Sequence, residues 1–233
     1  MKKILFIDSG SGGVNVLAHC VKKRVEGEYL YFGDTLFSPY GDKSKKELQK
    51  RVVEILELTK VFFDFEIVVF ACNTLTTSTI DFVREQYPNI VFVGTVPAIK
   101  PAFEKYEKDE VLFMATKRTI ENLKIDGLTV KDLPKLVDEN LLSVENLENY
   151  LAENLSKYQN KKAVVLGCTH YLAVKEIIQK ILPHAEVFDS NEGVANRLKS
   201  FVGEGDNIVQ FMTSKTGDEG IISRYYQKLL NFF

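Results

Sequence analysis

Short runs of β-branched and aromatic residues alternate along the chain with longer amphipathic stretches, the punctuation of an α/β protein. The pattern predicts strands over residues 3–7, 28–32, 66–71, 90–94, 110–115, 162–167, 186–189 and 207–212. Helices are predicted over 14–24, 43–63, 76–86, 99–105, 144–158, 172–181, 193–202 and 217–231. The runs Ile67-Val68-Val69-Phe70-Ala71 and Ala163-Val164-Val165-Leu166 are apolar at every position. A strand with one wet face would alternate instead, so these runs predict largely parallel sheets covered by helices.

The pattern also repeats. Val68-Val69-Phe70-Ala71-Cys72-Asn73-Thr74 and Val164-Val165-Leu166-Gly167-Cys168-Thr169-His170 each read as a buried strand ending in a cysteine, two polar residues and a helix, 96 residues apart. A fainter echo pairs Leu5-Phe6-Ile7-Asp8-Ser9 with Leu112-Phe113-Met114-Ala115-Thr116. Together they predict two similar α/β domains. The first is expected to span residues 1–95 plus about 188–233, carrying Asp8 and Cys72, and the second about 96–187, carrying Cys168 and His170.

Composition narrows the function. With 30 Lys+Arg against 32 Asp+Glu among 233 residues, the formal charge is −2, so no basic surplus draws the chain to nucleic acid. Apolar runs are far shorter than the ~20 residues of a membrane helix, and no signal peptide is evident. Three cysteines, Cys20, Cys72 and Cys168, form no CxxC pair, which argues against a disulfide framework or structural zinc and for a reducing cytoplasm.

Ligands of open α/β sheets sit beyond the carboxyl ends of strands. After the first strand comes Asp8-Ser9-Gly10-Ser11-Gly12-Gly13, whose glycines permit a tight turn with N–H groups free for an anion. The dinucleotide fingerprint fails, because its third glycine position holds Asn15. Cys72 and Cys168 each follow a strand and precede a helix, where a helix N-terminus lowers a thiol pKa. Two thiols facing across one cleft suit removing a proton from one face of a carbon and returning one to the other, each being base in one direction and acid in the other. His170 is placed to assist Cys168, and Asp8 to orient or poise Cys72. Asn73, Thr74 and Thr169 offer neutral groups for a carboxylate or ammonium, or serve as helix caps. Cys20, among Val14, Leu17, Ala18 and Val21, reads as an inert core residue, and His19 and His184 as surface residues.

As a set, these motifs resemble the glutamate racemases of the cofactor-independent aspartate/glutamate racemase superfamily. The resemblance is carried by Phe6-Ile7-Asp8-Ser9-Gly10-Ser11-Gly12-Gly13, Tyr31-Phe32-Gly33-Asp34-Thr35, Pro39-Tyr40-Gly41-Asp42-Lys43-Ser44, Ala71-Cys72-Asn73-Thr74 and Leu166-Gly167-Cys168-Thr169-His170-Tyr171, in order over residues 4–171, with a looser match at Phe188-Asp189-Ser190. It implies two α/β domains with the active site in the cleft between them, often in a homodimer. Cys72 and Cys168 become the acid/base thiols, Cys72 for the D-enantiomer and Cys168 for the L-enantiomer, with Asp8 and His170 as auxiliaries. Asp8, Ser9, Tyr40, Gly41, Asn73, Thr74, Thr169 and His170 would bind glutamate, Tyr40 and Gly41 through backbone groups near its side-chain carboxylate. Thr116 and Thr119 are further candidates. The implied product is D-glutamate for peptidoglycan, made without pyridoxal phosphate or metal.

The chain departs from the family pattern over about 126–159, and Leu172 stands where proline is usual. An acidic residue near the second cysteine corresponds to Asp138 or Glu139. The rivals are a racemase of aspartate or another amino acid, a non-catalytic small-molecule-binding module, and a thiol-redox protein.

Overall fold

In order along the chain the elements are β1 (Lys3–Asp8), α1 (Val14–Lys22), β2 (Gly27–Gly33), α2 (Lys45–Lys60), β3 (Ile67–Phe70), α3 (Asn73–Gln86), β4 (Val91–Gly94), α4 (Ile99–Lys105), β5 (Val111–Ala115), α5 (Lys117–Leu123), α6 (Leu133–Glu139), α7 (Glu148–Leu155), β6 (Ala163–Gly167), α8 (Lys175–Ile181), β7 (Glu186–Phe188), α9 (Asn191–Val202), β8 (Asn207–Thr213) and α10 (Asp218–Asn231). This is a computed structural model that describes residues 1–231. The last two positions of the range assigned to the first half, Phe232 and Phe233, lie outside the described residues.

All eight expected strands form, and every pairing between them is parallel. They make a five-stranded sheet, β4-β3-β1-β2-β8, and a three-stranded sheet, β5-β6-β7. On the first sheet alternate residues serve opposite layers. Ile4, Phe6, Tyr29, Tyr31, Ile67 and Val69 join one core cluster with α1 and α10 residues. Leu5, Ile7, Leu30, Phe32, Val68 and Phe70 join another with α2 and α3 residues. Burial on both faces is what the uninterrupted apolar runs required. Two short helices were not expected, α5 and α6. The helix expected over 144–158 is a turn of 3₁₀ helix, α7 and another 3₁₀ turn.

The echoes fall on matching strand pairs. β1 lies beside β3 with Leu5 opposite Val68 and Ile7 opposite Phe70. β5 lies beside β6 with Leu112 opposite Val164 and Met114 opposite Leu166. Two weak resemblances therefore sit in one common register, as a shared architecture requires.

β2 and β3 flank β1 on opposite sides, so the chain reverses its direction of travel across the sheet between them. Such a switch point leaves a crevice beyond the carboxyl ends of the two strands. Asp8 ends β1, and Cys72 follows β3 into α3.

Candidate active site

Cys72 stands immediately before α3 with extended backbone, φ −142° and ψ 119°. Cys168 stands after β6 in nearly the same conformation, φ −145° and ψ 130°. Both are buried. The element after Cys168 differs from expectation: Thr169–Val174 is a 3₁₀ helix, and α8 begins only at Lys175.

Each thiol contributes to the wall of one cavity of about 210 Å³, smaller than the ~300–1,000 Å³ of a drug-sized ligand site and of amino-acid scale. Ser9, Tyr40, Gly41, Asn73, Thr74, Thr116 and His170 share that lining. Asp8 and Thr169 lie beneath the wall, where the Thr169 hydroxyl donates to Asp8 Oδ1 at 3.3 Å. Of the expected residues, Thr119 is fully buried and meets the cavity only through Thr74 and Thr116.

The electrostatics correct one expectation. A helix N-terminus is present at Cys72, and the Leu75 N–H reaches its sulfur, yet burial dominates and, with the charge of Asp8, pushes this thiol well up. Burial likewise raises Asp8, although His170 and the N–H groups of Gly10 and Gly13 pull the other way. His170 shows the opposite balance. Burial opposes its charge, but the adjacent Asp138 carboxylate and the hydrogen bond with Cys168 outweigh it, and the imidazole is held well above its usual range.

Asp138 was legible in the sequence only as one of two acidic residues. His170 Nε2 lies 3.2 and 3.3 Å from its two oxygens. Glu139 points away, 54% exposed and paired loosely with Lys135 at 3.8 Å. The carboxylate of Asp138 is held below its usual value: desolvation opposes this, and His170 and Ser11 prevail.

The glycine turn also works differently from expectation. Its N–H groups serve carboxylates of the protein: Gly10 donates to Asp8 Oδ2 at 2.9 Å and Ser11 to Asp138 Oδ1 at 3.3 Å. Glycine is required by close approach, since a Cβ on Gly12 would sit 2.6 Å from the backbone nitrogen of His170.

Polar groups line the cavity. Asn73 donates to the Thr95 carbonyl at 3.1 Å, and its buried Oδ1 has no hydrogen-bond partner. An acceptor left so is costly unless a ligand completes it. Thr74, from α3, shares a hydroxyl contact of 2.8 Å with Thr116, which caps α5. Tyr40 turns its hydroxyl away from the cavity to donate to Asp34 at 2.8 Å. Arg51 grips the same buried Asp34 at 2.8 and 2.6 Å, anchoring the Pro39-Tyr40-Gly41 segment in the cavity wall. Arg51 carried no sequence signal, because its partner lies 17 residues away with no helical periodicity between them.

Cys20 is buried in the α1 core, where burial lifts its thiol to about 12, consistent with an inert residue. His19 pairs with Glu192 at 3.0 Å and His184 is exposed. Among the described residues no cluster of three His, Cys, Asp or Glu side chains is placed to hold a metal ion. No described helix is long and apolar enough to cross a membrane.

A curated glutamate racemase of Clostridium perfringens is 32% identical over 94% of this chain and 89% of its own length. The chain belongs to the glutamate racemase family. Glutamate racemases are isomerases with two α/β domains, the architecture found here. The glutamate racemase of Escherichia coli, solved with L-glutamate and the activator UDP-MurNAc-Ala, matches with TM-score 0.80 at 25% identity, covering 97% of this chain and 96% of that one. The glutamate racemase isoform RacE1 of Bacillus anthracis matches in fold with TM-score 0.82 at 23% identity, over 97% and 94% of the two chains. No protein-family model matches the chain.

Proposed function

We propose that this protein interconverts L- and D-glutamate by moving the Cα proton between Cys72 and Cys168. The observation that carries the reading is the placement of two buried thiols, one following each of two matching strand pairs, on the wall of a single amino-acid-sized cavity. The E. coli relative's complex with L-glutamate supports the substrate.

Starting from D-glutamate, the Cys72 thiolate takes the Cα proton, and the electron pair left on carbon delocalises into the α-carboxylate. The Cys168 thiol then delivers its proton to the opposite face, giving L-glutamate, a Cys72 thiol and a Cys168 thiolate. The reverse reaction exchanges the roles. Burial that raises the Cys72 thiol makes its thiolate a strong base, and Asp8 beside it receives or returns the thiol proton. His170, held charged by Asp138, hydrogen-bonds Cys168 and so orients that thiol. Asn73, Thr74 and Ser9 hold the ammonium and α-carboxylate, with Thr169 behind them on Asp8, and the Tyr40–Gly41 backbone holds the side-chain carboxylate. This chemistry calls for neither pyridoxal phosphate nor metal.

The same reading divides the chain into residues 1–95 plus about 188–233 and about 96–187, a division supported by the strand membership of the two sheets. It further implies a cytoplasmic homodimer that supplies D-glutamate for peptidoglycan.

The test is incubation without added cofactor with D-glutamate in deuterated water, following optical rotation and Cα deuterium together. Loss of rotation with deuterium entering at Cα is expected. Both signals with aspartate alone would keep the mechanism and change the substrate, and silence with every amino acid would overturn the reading.

A further inference from the structure

Asp138 lies in the last turn of a helix of only seven residues, its side chain is 30% exposed, and its hydrogen bonds are with His170 and Ser11. A carboxylate so placed has several rotamers open to it, and a single ring contact selects poorly among them. Ser11 supplies what is missing. Its hydroxyl and its N–H both donate to Oδ1 of Asp138, which pins the carboxylate with both oxygens against the imidazole, 3.2 and 3.3 Å from Nε2.

The platform carrying these donors is rigid. Ser11 is buried, its carbonyl accepts from the Val14 N–H at 3.1 Å, and the neighbouring Gly10 is tied to Asp8 through its N–H and to the Tyr31 hydroxyl through its carbonyl. Ser11 follows β1, whereas Asp138 and His170 belong to the part of the chain carrying the second sheet, so the contact crosses between the halves.

We propose that Ser11 is a positioning residue, which fixes Asp138 against His170 so that the Cys168 side of the site is assembled by a contact from the opposite half. The proposal rests on the racemase reading for its effect on turnover, but its structural content concerns His170 alone. The charged or titratable groups facing His170 are Asp138 from α6, Asp8 from β1 and Cys168 itself. Of these, Ser11 touches only Asp138.

The chain has three histidines, so NMR titration of the imidazoles resolves His170 once His19→Gln and His184→Gln assign the other two. The comparison runs over the whole protein, Ser11→Ala, Asp138→Asn and the double variant, with kcat, KM and the pH profile measured on the same preparations. Ser11→Gly removes the same hydroxyl and replaces Ser11→Ala should that variant not fold. In Ser11→Ala the His170 midpoint is expected to fall, the alkaline limb of the rate profile to move to lower pH, and kcat to drop about tenfold with KM within about twofold. Asp138→Asn should lose more, and the double variant no more than Asp138→Asn alone, because Ser11 acts through that carboxylate. An unchanged His170 midpoint in Ser11→Ala, or a double-variant loss equal to the product of the single losses, overturns the proposal. If the parent protein racemises nothing while the midpoint still falls, positioning by Ser11 is upheld and the functional reading fails.

Discussion

Cys72 and Cys168 share a backbone conformation and differ in company, a carboxyl beside one and an imidazole beside the other. General acid–base groups contribute about 10²–10⁴-fold to a rate, so Cys72→Ser and Cys168→Ser should each reduce racemisation by about that factor. The residual chemistry should be one-sided: Cys168→Ser retains Cα deuterium exchange with D-glutamate and not with L-glutamate, and Cys72→Ser the reverse. Exchange of both enantiomers at equal rates in either variant would remove the two-thiol assignment. Loss of His170 should show in stability as well. Its pKa is raised on folding and that of Asp138 lowered, so the pair stabilises fully between about pH 4 and 6.5. The contribution disappears as pH rises through the elevated His170 value, or falls through the depressed Asp138 value. Urea unfolding of His170→Gln should therefore differ from the parent by about 1.5 kcal/mol near pH 5.5, the low end for a charged hydrogen bond because Asp138 is 30% exposed. That gap should close in alkali, and a difference independent of pH would assign His170 a packing role only. These residues were unequally legible. A cysteine ending an apolar strand is a local signal, whereas the link from His170 to Asp138 spans 32 residues and exists only once α6 is in place.

At the scale of elements, strands were easier to read than short helices. The apolar runs over residues 67–71 and 163–166 required two covered faces, and all eight expected strands pair in parallel. By contrast α5 and α6, of seven residues each, give the 3.6-residue period under two turns in which to declare itself and were missed, although α4 of equal length was read. Their start signals were present, Thr116 as a cap accepting from the Thr119 N–H and Pro134 in the first turn of α6. The glycine turn shows how an element serves two halves. Gly12→Ala would place a methyl 2.6 Å from the His170 nitrogen and 2.7 Å from its ring, displacing the imidazole proposed to assist Cys168. Overpacking of this kind costs about 1–3 kcal/mol, and here a loss of turnover should accompany the lower urea midpoint. Gly193 in α9 is the control, since a Cβ added there would meet nothing within 4 Å. Gly193→Ala should raise stability by up to about 1 kcal/mol and leave turnover unchanged. Equal behaviour of the two variants would show that the turn tolerates a side chain and that its glycines serve another purpose.

Across the whole molecule, hydroxyl and carboxylate contacts join the two parts of the chain: Thr74 with Thr116, Thr169 with Asp8, and Ser11 with Asp138. The core follows the same path, since the largest apolar cluster contains Ile4 and Phe6 of the first sheet together with Leu112 and Val164 of the second. Unfolding should accordingly be a single transition. A ligand touching both walls then stabilises the entire molecule by RT ln(1 + [L]/Kd), about 2.7 kcal/mol at a hundredfold excess over Kd. For a chain of this length each kcal/mol moves the midpoint by about 2–4 °C, so saturating D- or L-glutamate should raise Tm by about 5–10 °C. If the Tyr40–Gly41 backbone holds the side-chain carboxylate as proposed, aspartate, one methylene shorter, should give a small shift or none. A larger shift with aspartate than with glutamate would transfer the substrate assignment to the shorter acid, and two separate transitions in the ligand-free protein would break the argument that one core unites the halves.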